Sequence, residues 1–217
     1  MKFFTWGMIC LIFLSFMFTG CGDRDDVKDF LAIKPGVIWY YEVDIQGAKS
    51  EMQIQVGEPK EIEGKTAYPL SYSYNQLALP TQIEYYVTQD KSVLFPRIDN
   101  VQGQFLKKPA QTFLKFPLKK GDEWEWSGKL VPVGEKEAVV SGSVKTVVED
   151  EETITTPATT YKKAVRISLV SVHESQGTEF ELKEERWYVN KIGMVKEVLY
   201  DEKGNPVLTA ALKKIEK

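Results

Sequence analysis

The sequence is poor in the residues that build metal sites, disulfides and nucleophilic centres. Its 217 residues include two cysteines, Cys10 and Cys21, and one histidine, His173. No cysteine follows residue 21, so the remaining chain can form neither an internal disulfide nor a thiolate zinc site. A Ser–His–acid triad would need His173, and the sequence has no G-x-S-x-G motif to supply the nucleophile. We therefore expect no catalytic residue, no metal and no cofactor, and predict a protein that is not an enzyme.

Clustered positive charge is also scarce, which argues against nucleic acid as a partner. The chain has 28 Lys and Arg against 31 Asp and Glu, whereas phosphate binding needs a concentration of cations on one face. One local basic stretch consists of Lys107, Lys108, Lys115, Lys119 and Lys120. Because Pro109 and Pro117 interrupt it, we interpret it as a solvated loop and strand face.

The main apolar run lies at the N-terminus. Lys2 precedes an uncharged stretch, Met8–Phe18. A positive residue, a short apolar run and small residues before a cleavage point are typical of a secretory signal. A membrane-spanning helix needs about 20 predominantly apolar residues, and this stretch is shorter. We predict that residues 1–20 are a signal peptide.

The end of this run resembles the lipobox of bacterial lipoproteins. In Phe18-Thr19-Gly20-Cys21 a small residue precedes a cysteine, and an apolar residue stands three places before it. The resemblance implies cleavage after Gly20 and lipidation of Cys21 with diacylglyceryl and fatty-acyl chains such as palmitate. It also implies an address in the cell envelope, on the outer membrane if the host has one. The alternative is a plain anchor helix with an incidental cysteine. Residues 21–34 are polar and charged, and we predict a tether.

After the tether, the sequence has the pattern of β-strands. Val37–Ile45 is rich in β-branched and aromatic residues, and Met52–Val56 alternates apolar with polar residues. Ten or more such segments follow one another at regular spacing. The pattern predicts an all-β, antiparallel domain over residues 35–217, either a curved sheet forming a half-barrel or barrel, or a two-layer sandwich, with little helix. Three segments fall outside it: one or two helical turns over residues 27–33, a loop over 149–160 and a frayed tail over 210–217.

Aromatic residues two apart project from the same strand face. Such pairs are ordinary core in most strands, but they can also line an apolar pocket inside a curved sheet. The candidate ligand-lining aromatics are Trp39, Tyr41, Trp124, Trp126 and Trp187.

Three segments together resemble a group of uncharacterised secreted β-rich bacterial lipoproteins. They are Phe116–Trp126, which contains PLKKGDEW, Tyr161–Val165, and Arg186–Glu197, which contains WYVNKIGMVK. The resemblance implies a β-rich fold and an envelope address, and it brings no catalytic residues. Within these segments, Gly121 and Gly193 suit turns with positive φ.

Three functions remain open at this point. The first is a non-enzymatic binding module for a hydrophobic ligand or a partner protein, because curved sheets can enclose cavities. The second is a structural or assembly component that pairs through edge strands. The third is an envelope hydrolase that uses carboxylates alone. The expected partners are the membrane, through the lipid, and an envelope protein or apolar ligand, with no nucleic acid.

Overall fold

The computed structural model describes residues 27–75, 81–175 and 177–217. The predicted signal peptide and the lipidation site at Cys21 lie outside these residues. The elements are α1 (Val27–Leu31), β1 (Ile38–Ile45), β2 (Ala48–Val56), β3 (Lys60–Ile62), β4 (Lys65–Asn75), β5 (Gln82–Gln89), β6 (Ser92–Asn100), β7 (Gly103–Lys115), β8 (Glu123–Pro132), β9 (Val140–Thr155), β10 (Thr160–Ser175), β11 (Thr178–Val189), β12 (Gly193–Tyr200) and β13 (Pro206–Glu216).

Twelve of the strands form a closed antiparallel barrel. From β4 to β13 each strand pairs with the next, β13 pairs with β1, β1 with β2, and β2 with β4, while the short β3 pairs with β4 alone. The all-β antiparallel prediction is confirmed, and of the architectures left open the chain adopts the barrel. Each barrel strand has a neighbour on both sides, so the sheet closes on itself.

Period-two alternation decides which side chains fill the barrel. In β1, Trp39, Tyr41 and Val43 point inward, and the register places Tyr41 beside Leu212 and Val43 beside Ala210 of β13. All five side chains are at most 3% exposed. Burying a large apolar side chain contributes about 1.5–3 kcal/mol, so these inward-facing side chains strongly stabilise the pairing of β1 with β13.

A short helix closes one end of the barrel, which we call the helix end. Val27, Phe30 and Leu31 of α1 are buried. The ring of Phe30 meets that of Phe116, between β7 and β8, edge-on at a centroid distance of 5.1 Å. Residues 27–33 belong to the segment that we predicted as a tether, and their apolar side chains are packed into the core.

The turn glycines suggested by the sequence have the expected backbone. Gly121 has a φ of 84° and Gly193 a φ of 91°. Gly193, between β11 and β12, is also crowded, because a Cβ there would lie 3.0 Å from the carbonyl oxygen of Leu31. A glycine at this turn therefore lets α1 approach the barrel.

The opposite end, which we call the mouth, contains the β1–β2, β6–β7, β8–β9, β10–β11 and β12–β13 connections, the end of β4 and the start of β5. These connections alternate with those of the helix end because the strands run up and down in chain order. The β10–β11 hairpin projects furthest. The pairing of β11 with β12 ends at Lys183, whereas its pairing with β10 continues to Thr178.

Two sequence predictions were wrong, both for segments near the helix end. Residues 149–160 were expected to form a loop, but β9 and β10 run to Thr155 and from Thr160 as a paired hairpin, with Ile154 opposite Tyr161. Asp150 and Glu151 lie at exposed positions of β9, and Glu149 and Glu152 are half-buried, so the acidic run belongs to a strand rather than a loop. Residues 210–217 were expected to fray, but β13 continues to Glu216 because β1 pairs with it.

Candidate functional site

The barrel interior holds a small cavity near the helix end. Its volume is about 40 Å³, and Trp39 and Tyr41 are among the residues that line it. The other lining residues are Leu31, Ile33, Ile54, Leu70, Tyr72, Tyr86, Phe113, Arg186, Tyr188 and Met194. A water molecule needs about 10–15 Å³ of such space, and drug-sized ligands occupy several hundred. In this closed form the cavity accommodates a few waters and no acyl chain.

A buried carboxylate lies at the wall of the cavity. Glu84 of β5 accepts hydrogen bonds from the hydroxyls of Tyr72, at 2.9 Å, and Tyr86, at 2.5 Å. The side-chain amide of Gln82 donates to its other oxygen at 3.1 Å. Since buried charges must be hydrogen-bonded to be tolerated, these three donors explain how Glu84 remains in the interior.

A second ionic cluster lies on β11 and β12. The Nε of Arg186 donates to Glu184 and, at 3.0 Å, to Glu197. All three side chains are largely buried, and the guanidinium also lies 5.5 Å from the ring centroid of Phe113. Although burial opposes its charge, the neighbouring Tyr188 and Glu197 raise the pKa of Arg186 well above its usual value.

One further buried cation faces the interior. The amine of Lys107 on β7 donates to Gln111, and it lies 4.0 Å from the ring centroid of Phe95 and 5.2 Å from that of Trp126. Burial lowers the pKa of Lys107 to about 8, although Glu84 opposes the shift. Lys107 is the one member of the predicted basic stretch that is buried.

Tyrosine hydroxyls complete the polar interior. Burial raises the pKa of Tyr41, Tyr72 and Tyr86 well above the ordinary value, and it raises that of Tyr188 to about 12. The hydroxyl of Tyr41 donates to the carbonyl of Met194 at 2.8 Å. The interior is therefore a packed aromatic core that also contains buried charged side chains with hydrogen-bond partners.

Trp124 and Trp126 occupy a break in the barrel wall. β7 and β8 pair only from Phe105 to Lys108 of β7. Towards the helix end, Pro109–Lys115 has no partner on β8 and is bonded to β6 only from Gln111 to Lys115, and Glu123–Gly128 pairs with β9 alone. We call the space between these two segments the β7–β8 gap.

Two indole groups bridge the β7–β8 gap. The Nε1 of Trp124 donates to the carbonyl of Thr112 at 3.0 Å, and the Nε1 of Trp126 donates to the carbonyl of Pro109 at 2.8 Å. Both rings are buried and neither lines the cavity. Trp124 and Trp126, which we predicted to line a ligand site, thus donate hydrogen bonds across a part of the wall where β7 and β8 are not paired.

Trp187 lies on the other side of the wall. Its neighbours Arg186 and Tyr188 line the inner cavity, so alternation directs Trp187 outward. Its indole donates to Glu152 of the β9–β10 hairpin at 3.2 Å, and the amine of Lys196 lies 4.7 Å from its ring centroid. The structure thus places Trp187 under the hairpin and away from the cavity.

Exposed apolar side chains concentrate at the mouth. Within the described part of the chain, the large hydrophobic side chains that are exposed are Val101, Val133, Val139, Phe180 and Leu182. They come from three hairpins that follow one another around the barrel, β6–β7, β8–β9 and β10–β11. We call these five residues the mouth patch.

The mouth patch has acidic surroundings. Phe180 is 49% exposed and lies between Glu179 and Glu181, with Glu174 across the same hairpin. The ring of His173 lies 5.3 Å from that of Phe180. His173 is half-buried, and its burial and, to a smaller extent, the nearby charge of Lys107 lower its pKa. The β10–β11 hairpin therefore presents an aromatic ring on one face and the carboxylates of Glu174, Glu179 and Glu181 on the other.

Over the residues that the structure describes, no group of three or more His, Cys, Asp or Glu side chains is arranged to hold a metal ion. In the same residues, no helix has the length and apolar character needed to cross a membrane. Sequence reasoning missed Glu84, Arg186 and Lys107, since charged residues in alternating strands are normally assigned to the solvent face.

Part of the chain is similar to a known family. Residues 130–212, from the end of β8 into β13, match a family model described as DUF3108-like. No functionally curated protein matches the sequence significantly. The match covers the half of the barrel that contains the β9–β10 hairpin and the Arg186 cluster.

Two crystal structures share the fold. One is of a protein from Bacteroides fragilis described as exported and as having a YmcC-like fold, with a TM-score of 0.56 and 13% identity over 85% of this chain and 97% of that chain. The other is of a protein from Parabacteroides distasonis described as a lipoprotein, with a TM-score of 0.53 and 16% identity over 86% of this chain and 98% of that chain. At these identities the similarity establishes a common fold.

Proposed function

We propose that this protein is a lipid-anchored binding module of the cell envelope, which docks a partner protein at the mouth of its barrel. The observation that carries the proposal is the position of the mouth patch. Soluble proteins rarely expose contiguous apolar surface without an interaction to cover it. Here the exposed apolar side chains collect on three adjacent hairpins at one end.

The predicted anchor would direct the mouth patch away from the membrane. Five residues separate Cys21 from Val27, where α1 begins at the helix end. An extended chain covers at most about 3.6 Å per residue, so the helix end would lie within about 20 Å of a lipidated cysteine. The mouth is the opposite end of the barrel and would face a partner in the adjoining compartment. The two structural neighbours, described as an exported protein and a lipoprotein, are consistent with this address.

The chemistry of the mouth indicates the kind of partner. Glu174, Glu179 and Glu181 lie on the face of the β10–β11 hairpin opposite Phe180, and the hairpin sequence from 174 to 182 contains no Lys or Arg. A complementary surface would present apolar side chains flanked by Lys and Arg, which would also steer association at low salt. A partner protein fits better than a hydrophobic ligand, because the interior cavity of about 40 Å³ is too small to hold one.

Site-specific photocrosslinking in the native envelope tests this proposal. A photoreactive residue replaces Phe180 in one full-length protein and Val139 in another, with Glu58 near the helix end as the matched control position. We expect both mouth positions to crosslink to the same polypeptide, and the control position to give none of this product. The purified partner should then bind the protein with an affinity that falls as salt is raised and is lost in Phe180→Ser. Absence of any crosslink from the mouth positions would refute the proposal, and so would crosslinking only to a second copy of the chain.

A further inference from the structure

We propose that the β7–β8 gap is a second docking site, which accepts one extended peptide segment of a partner protein as an additional strand. This inference is independent of the mouth patch, because the gap lies at the helix end. In the gap, Gln111–Lys115 and Glu123–Gly128 each have one paired side and one side without a strand neighbour, and Pro109 and Ala110 precede this paired part of β7. Such an edge carries a row of backbone donors and acceptors that can pair with an incoming strand.

The indole bridges are substitutes for the donors of the missing strand. In a continuous sheet, alternate residues of β7 would bond to backbone N–H groups of a neighbouring strand on this side. In the gap, the carbonyls of Thr112 and Pro109 accept from the side chains of Trp124 and Trp126. Side-chain bonds of this kind can be exchanged for backbone bonds without breaking the β6–β7 or β8–β9 ladders.

The start of the gap is built for this arrangement. Gly128 is the residue at which β8 leaves β7, and a Cβ there would lie 2.7 Å from the carbonyl oxygen of Lys108 and would collide with the ring of Trp126. Pro109, opposite it on β7, has no N–H to offer to β8. Both residues therefore favour a break in pairing with the Trp126 ring lying across it.

A buried polar group behind the gap also lacks a partner. Thr146 of β9 pairs with Trp124 of β8, so both side chains face the interior. The Thr146 hydroxyl is buried and has no hydrogen-bond partner. An unsatisfied buried hydroxyl costs about 1–3 kcal/mol, so the packing beside Trp124 leaves one polar group unpaired.

The backbone chemistry selects a peptide over a lipid chain. A hydrocarbon between the two edges would leave the unpaired N–H and C=O groups without water or partners, which is costly. An extended peptide satisfies both edges at once. A related contact occurs within the chain. The Ala158 N–H, at the tip of the β9–β10 hairpin, donates to the carbonyl of Leu212, which lies beyond the last β12–β13 pair.

The test uses variants that remove the indole donors but keep an aromatic ring. Trp124→Phe/Trp126→Phe frees the two carbonyls of β7. Trp39→Phe is the matched control, since the Trp39 indole also donates to a backbone carbonyl, that of Ile192 at 2.7 Å, far from the gap. The probe is a biotinylated peptide that copies residues 123–132, the strand that pairs with β7 above the gap. Binding is measured by interferometry on the full-length protein in detergent.

We expect the peptide to bind the double variant about tenfold more tightly than the Trp39→Phe protein, and to protect the amides of 109–115 from hydrogen exchange. In the wild type, without peptide, the amides of 109–115 that face the gap should exchange at least about tenfold faster than those of β10. Exchange as slow as that of β10 would overturn the proposal even if the double variant failed to fold. Equal peptide binding by the two variants, or dimerisation of the double variant in place of peptide capture, would also overturn it.

Discussion

Replacement of Tyr41 by phenylalanine should change the stability of the protein in a way that reverses with pH. At neutral pH the variant loses the hydrogen bond from the Tyr41 hydroxyl to the carbonyl of Met194. A buried hydrogen bond of this kind contributes about 1 kcal/mol. We therefore expect the free energy of unfolding of Tyr41→Phe to be about 1 kcal/mol below that of the wild type.

Alkaline pH should cancel and then invert this difference. Burial raises the pKa of Tyr41 well above its ordinary value of 10.0, so the folded protein keeps the phenol protonated while the unfolded chain ionises it. Stability from a raised pKa is complete below the unfolded pKa and is lost as pH rises towards the folded one. The loss is about 1.4 kcal/mol at pH 11 and about 2.7 kcal/mol at pH 12. The two proteins should be equally stable near pH 11, and the variant should be the more stable above it.

Urea unfolding followed by tryptophan fluorescence, at about pH 8 and about pH 11, measures the difference. Phe30→Leu is the matched control, because Phe30 is buried at the same end of the barrel and has no ionisable group. Its destabilisation should be the same at both pH values. A wild-type–Tyr41→Phe difference that does not change with pH would mean that Tyr41 ionises in the folded protein. The reasoning from a dry, packed interior would then be wrong.

Three further substitutions test the interior and the helix end. Lys107→Met should stabilise the protein at pH 7. The pKa of Lys107 is about 8 in the folded protein, against 10.5 ordinarily, so the charged amine destabilises the folded wild type. Urea unfolding should show that the stability advantage of the variant shrinks by about 3 kcal/mol as pH rises from 8 to 10.5. Arg186→Met should lower the free energy of unfolding by about 3–5 kcal/mol, since Glu184 and Glu197 then lose their buried cation, and adding Glu197→Gln should recover part of the loss in the same assay. Gly193→Ala should cost about 1–3 kcal/mol in thermal unfolding because of its φ of 91° and the nearby Leu31 carbonyl. An unchanged Tm in Gly193→Ala, or a double variant no more stable than Arg186→Met, would contradict these explanations.

The strands could be predicted from the sequence because their pattern is local. In Met52–Val56 the alternation of apolar and polar residues depends only on neighbours in the chain, and β2 contains it as expected. The inward direction of Trp39 with Tyr41, and of Trp124 with Trp126, follows from the same period of two. Local patterns cannot say which strand meets which at a distance, and so the pairing of β1 with β13 was missed.

The polar interior was missed because β5 is buried on both faces. Tyr85 and Val87 face outward into a small second cluster with Ile62 and Ala67, whereas Glu84 and Tyr86 face inward. Alternation would place the charged face of such a strand in water. Only the register with β4, where Leu70 lies beside Glu84, shows that the carboxylate is inside. Trp187 is the converse case, an aromatic residue placed outside by its position next to Arg186.

The pairing of β13 with β1 has a consequence for how the chain must fold. These strands lie at the two ends of the described fold, and Trp39 of β1 meets Ile215 of β13. A chain that emerges N-terminus first cannot close this barrel until β13 is free. Until then, β1 and β12 each present an unpaired edge, and contacts between distant parts of a sequence form slowly. Closure of the barrel therefore waits for β13, and deletion of residues 208–217 would leave an open sheet rather than a shorter barrel.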